Sequence, residues 1–127
     1  MIKFRAWNGY RKIMADYVSA IQNGDTQGTP SSVNVIVNRK NETWDIKNDD
    51  VELLQFTGLT DVNGKDIYEG DIIEVTSQYW GMLGNRYEVK FQQGAFFVNC
   101  DLLSKISPSI SVIGNVHENP ELLEADK

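Results

Sequence analysis

The chain brings one histidine, one cysteine and eighteen carboxylates to any chemistry it could perform. His117 stands beside Glu118. A lone imidazole works as a general base only where a nucleophile is brought to it, and no nucleophile motif is present. His117 is therefore expected to be structural or simply exposed. The adjacent carboxylates are Asp49-Asp50 and Glu69 with Asp71. Glycoside hydrolysis needs such a pair facing across a cleft, and nothing in the neighbouring residues marks either pair as buried. Cys100 ends the apolar run 95–100 and reads as a small buried hydrophobe rather than a reactive thiol. With one cysteine no internal disulfide forms, which fits a reducing compartment.

Metal and phosphate chemistry fare no better. One Cys and one His exclude the ordinary zinc motifs. The stretch Asp61-Val62-Asn63-Gly64-Lys65-Asp66 gathers oxygen ligands in a short loop. Its glycine comes too early for an EF-hand and no glutamate closes it, whereas a hairpin turn accounts for every residue. Gly81 and Gly84, followed by Arg86, have neither a P-loop lysine nor the dinucleotide spacing. We assign no catalytic, cofactor-binding or metal-binding residue, and expect no cofactor and no enzyme activity.

Binding residues are easier to find. Arg5, Trp7, Tyr10, Arg11 and Lys12 mix cations with aromatics, a pattern that can stack bases and contact phosphates. The net charge of -6 opposes nucleic-acid binding, which is driven by phosphate neutralisation. The preferred reading has Trp7 and Tyr10 packing between lobes while the cations cover acidic neighbours. Tyr79-Trp80 lies in the polar loop 77–86 and is a candidate anchor for a protein partner, or a cover for an open barrel end.

The elements that position these residues follow from periodicity. Residues 2–7 alternate, with Ile2, Phe4 and Ala6 on one face and Lys3, Arg5 and Trp7 on the other, as in a strand. Asn8-Gly9 signals a hairpin turn. In 12–22, Ile13, Met14, Tyr17, Val18 and Ile21 fit a short amphipathic helix, the reading preferred here, and a strand over 12–18 is the alternative. Residues 23–32 contain little that packs. Residues 33–37 and 42–46 read as a hairpin turning at 38–41. Residues 51–56 form a further apolar segment, and Asn63-Gly64 marks the next hairpin. Segments 71–76, 87–91, 95–100 and 110–116 are expected to pair in one antiparallel sheet that curls into a barrel. Gly70 should supply a tight bend into the first of them. Asn119-Pro120-Glu121 opens a short helix, with Asn119 as its cap.

At 127 residues the chain can bury a core without staples. Two lobes are expected, 1–56 with a variable insert and 57–127. No apolar run is long enough to cross a bilayer, and the start is too short to be a signal peptide, so a cytoplasmic location is expected. Charge is uneven. Residues 1–40 hold six Lys/Arg and two Asp; residues 41–80 hold two Lys and ten Asp/Glu. That contrast, with a terminal strand ahead of loop 23–32, predicts self-association through the strand 2–7.

Four blocks resemble the YopX family of phage and prophage proteins. They are residues 2–7 (IKFRAW), 55–73 (QFTGLTDVNGKDIYEGDII), 87–91 (YEVKF) with Gly94-Ala95-Phe96, and 112–123 (VIGNVHENPELL). They occur in the family's order across nearly the whole chain, and 13–50 departs from it. The resemblance implies a phage or prophage gene, a C-terminal half folded as a small SH3-like barrel, and no known reaction or substrate. The expected architecture is mainly β: an N-terminal β-rich lobe with room for one short helix, an SH3-like barrel, and a short C-terminal helix. The expected partners are a second copy of the chain and a phage or host protein, with nucleic acid as the alternative.

Overall fold

The structure, a computed structural model, describes residues 3–23, 30–77, 83–99 and 101–124. It is mainly β and divides into two compact units, Met1–Gln55 and Phe56–Lys127.

The first unit begins with β1 (Phe4–Asn8), which lies between β2 (Ile13–Ala15) and the first half of β6 (Val51–Thr60). Ala6 stands opposite Ala15 on one side and Leu53 on the other. This corrects two expectations. With partners on both edges, β1 is not an edge strand and is not free to pair between protomers. Residues 12–22 are also not helical. Lys12 adopts φ 59°, which no right-handed helix contains, and the chain turns back after Asn8 into β2 and then β3 (Tyr17–Asn23). The helical spacing of five apolar residues in a short window lost to the hairpin turn and the β-branched Val18 and Ile21.

A three-stranded sheet completes this unit in the order β3, β4 (Pro30–Val37), β5 (Lys40–Asp45). Asn38 and Arg39 both have positive φ, 50° and 68°, so β4 and β5 are joined by a two-residue type I′ turn. Alternation along β4 buries Val33, Val35 and Val37 beside Trp44, Ala6 and Ala15 to form the core.

The second unit carries a five-stranded antiparallel sheet. Its order is β11 (Asp101–Leu102), β10 (Ala95–Val98), β9 (Arg86–Gln92), β8 (Asp71–Val75), β12 (Ile110–Asn115). The four segments expected to share one sheet do so. The end of β6 pairs with β7 (Asp66–Tyr68). Between β11 and β12 lie α1 (Leu103–Ile106) and a 3-10 turn (Ser107–Ser109), which the sequence reading did not anticipate. Leu103 and Ile106, three apart, drop into the core with Ile67, Ile73, Val75, Val89, Val98 and Ile110.

The short C-terminal helix is present as α2 (Glu121–Glu124), directly after Pro120. The Asn119 carbonyl accepts the Leu122 N–H at 3.0 Å, while its side chain turns to the strand. Its Oδ1 accepts the Asn115 N–H at 3.3 Å, tying the helix start to the end of β12. Gly114 follows a bulge in β12, and a Cβ there would fall 2.7 Å from Asn119 Oδ1 and 2.8 Å from Leu122 Cδ1. Gly114→Ala is therefore expected to push α2 away from the strand. A loss of about 1–2 kcal/mol should appear as a lower urea midpoint with an unchanged slope. An unchanged midpoint would show that α2 contributes nothing there.

Candidate interaction surface

Three of the residues singled out in the sequence meet on the turn between β1 and β2. Asn8 organises it: its Oδ1 accepts the Arg11 N–H and its carbonyl the Lys12 N–H, both at 2.8 Å. The turn is pinned from outside by the Gly9 N–H on the Asp50 carbonyl at 3.0 Å and the Tyr10 N–H on the Asp49 carbonyl at 3.1 Å. Bonds from four backbone N–H groups thus hold a turn whose tip is Tyr10, 77% exposed. The expected packing of Tyr10 is not what the structure shows. Trp7 behaves the other way: at 8% exposure it belongs to the core and offers no ring face. Arg5 is half-buried, and Lys12 is exposed. Tyr79 and Trp80 lie outside the described residues, as do Gly81 and Cys100.

Arg11 spends its charge locally. Its Nη1 sits 2.7 Å from Glu42 Oε1, which also accepts the Trp44 indole N–H at 2.9 Å. The Trp44 bond and then the Arg11 bond hold the Glu42 carboxyl below the usual carboxylate range. The sign follows: this contact is intact above the ordinary glutamate range and is lost as pH falls through the lowered value.

One member of each carboxylate pair, Asp49 and Asp71, has a structural hydrogen-bond partner. Asp49 Oδ2 accepts the Asp45 N–H, and Asp45 Oδ1 the Asn48 N–H, so these residues build a turn. Asp71 is buried and its Oδ2 accepts the Tyr68 N–H at 2.8 Å. His117 is half-buried, and its backbone N–H donates to Asn115 Oδ1.

Asp61, weighed above only as a calcium ligand in a hairpin, proves to be the hub of the second unit. Its Oδ1 accepts the N–H groups of Asn63 at 2.8 Å and Lys65 at 2.9 Å. Its Oδ2 accepts the Val112 N–H of β12 at 2.8 Å. The Val62 N–H donates to the Ile110 carbonyl, so loop 61–65 lies along the outer side of β12. Asn115 is a second hub the sequence reading missed: it takes the His117 and Glu118 N–H groups on Oδ1 and gives Nδ2 to Glu118 Oε1. An Asn five residues before a proline was the available signal.

Among the described residues, no three His, Cys, Asp or Glu side chains gather closely enough to hold a metal ion. EDTA is accordingly expected to leave the melting temperature unshifted. A fall of several degrees, reversed by calcium or zinc, would contradict this. Among the described residues, no helix is long and apolar enough to cross a membrane.

Comparison with known proteins places this arrangement. The chain is 39% identical over 79 aligned positions to the SPbeta prophage-derived uncharacterized protein YopX of Bacillus subtilis (strain 168), covering 52% of this chain. That match spans only 56% of the length of the relative. The crystal structure of protein EF1440 from Enterococcus faecalis superposes with a TM-score of 0.70 at 27% identity, covering 97% of this chain and 98% of that one. The X-ray structure of yopX from Bacillus subtilis does so with a TM-score of 0.66 at 25% identity, covering 95% and 97%. The model of the YopX protein family matches residues 3–124, and the chain belongs to that family.

Proposed function

We propose that this is a non-enzymatic phage or prophage accessory protein that acts in the host cytoplasm through protein–protein contacts and as a homo-oligomer. The observation that carries the contact reading is Tyr10, presented to solvent on a turn that four backbone N–H groups hold still. A large aromatic fixed before binding loses little conformational freedom when it docks, and tyrosine is among the residues that dominate interface energies. The prophage setting is supported by the Bacillus subtilis relative, an SPbeta prophage-derived protein. The second unit is read as a small SH3-like barrel. Its short antiparallel strands, with a helical turn just before the last, support that.

Nucleic-acid binding has less behind it. Trp7 has no exposed face for a base to stack on, and Arg11 is committed to Glu42. Affinity purification of tagged protein from infected or lysogenic cells separates the two readings. A partner protein that survives nuclease and is lost with Tyr10→Ala supports the proposal. Retention that nuclease abolishes, or that collapses with modest salt, would replace it with nucleic-acid binding.

A further inference from the structure

We infer that the free edge of β3 pairs with β3 of a second copy of this chain. The inference rests on the homo-oligomer reading above and gives it a location. β3 is bonded to β4 along one side, and among the described residues no backbone partner lies along the other. An open edge of this kind presents N–H and C=O groups that another extended chain satisfies.

Folded proteins guard their edges, and the other edges here are guarded. β5 carries Lys40, Glu42 and Asp45; β7 carries Asp66; β11 carries Asp101. Loop 61–65 covers the outer side of β12. β2 is three residues long and Asp16 follows it. β3 is seven residues without a single charge. Tyr17 and Ile21 stand 41% and 40% exposed on it. An open groove of about 370 Å³ runs between residues 17–21 of β3 and Lys3-Phe4 at the start of β1.

Charge selects the occupant. Copies of a chain with net charge -6 repel one another, so they can meet closely only where acids do not face acids. Antiparallel pairing of β3 with itself sets neutral residues against neutral residues. The contact is isologous and uses up both open edges at once. Beyond it each sheet ends in the charged β5, so the product is a closed dimer and not a fibre.

Sedimentation velocity of the full chain up to hundreds of micromolar, in half-molar salt, tests this. The expected result is a dimer that Ile21→Lys weakens roughly tenfold or more, while the same charge added by Gln92→Lys on β9 leaves it unchanged. Where Ile21→Lys lowers the melting temperature, Ala20→Lys on the exposed opposite face of β3 carries the same test. Amide exchange across residues 17–22 should also slow as protein concentration rises. A wild-type monomer at every concentration would overturn both this inference and the homo-oligomer reading. An oligomer indifferent to both lysines, with exchange in β3 independent of concentration, would overturn the β3 assignment alone.

Discussion

Replacing Asp61 with alanine is expected to destabilise the second unit by about 2–4 kcal/mol, the largest effect of any polar substitution described. Three backbone N–H groups lose a charged acceptor at once, and charge-assisted bonds are the strong ones. The Asn63 and Lys65 groups can turn to water in an exposed loop, so the Val112 group on β12 carries most of the loss. Asp61→Asn keeps one carbonyl oxygen and should lose about half as much, because its NH2 end cannot accept. The pH dependence has a definite sign. Burial pushes the Asp61 carboxyl up, but the three backbone N–H groups outweigh it and hold the value below the ordinary one. A lowered folded value means that the stabilisation is complete above the unfolded aspartate range near ~3.9 and fades as pH falls through the lower folded value. Wild type and Asp61→Ala should therefore differ in urea midpoint at neutral pH and converge in strong acid. Equal midpoints at neutral pH would remove Asp61 from its central place.

Gly70→Val is expected to cost about 2–3 kcal/mol. Gly70 is buried at φ 86°, a conformation in which a β-branched side chain is strained. It cannot relax, because its N–H donates to the Val89 carbonyl and its own carbonyl accepts the Val116 N–H, both at 2.9 Å. Gly70→Ala should cost less, about 1–2 kcal/mol, since it adds the left-handed penalty without the branch. Gly64 and Gly94 share the sign of φ but sit in open turns, where Asn should be tolerated. A Gly70→Val variant with the wild-type denaturant midpoint would count decisively against this account.

What the sequence disclosed was local. Alternation within 71–76, 87–91 and 110–116 and the punctuation at Gly70, Gly94 and Pro108 were enough to place the second sheet. Residues 12–22 were misread because five apolar residues satisfy both periods over so short a window, and the turn at Lys12 with the β-branched Val18 and Ile21 decides for strands. α1 was missed because four residues make too little helix to show a period. Trp7 was expected to pack and is buried, whereas Tyr10, expected to pack beside it, lies on the turn beyond the strand, where alternation gives no face. Asp61 could be seen as a turn residue from its neighbours, but its bond to Val112 spans 51 positions and leaves no local mark.

The placement of β12 has a consequence for synthesis. Strands β8 to β11 are consecutive neighbours in the sheet, whereas β12 must return to β8. Its register joins Ile110 to Val75 and Asn115 to Asp71, separations of 35 and 44 residues (110 less 75, and 115 less 71). Loop closure over such distances is slower than hairpin formation. On a ribosome, which extends the chain from its N-terminus, the four-strand meander therefore emerges with one edge of β8 bare and the Ile110 place in its core empty. The sheet of the second unit is finished only when residue 115 is released. A premature stop shortly before residue 110 would thus leave a chain that never completes its sheet.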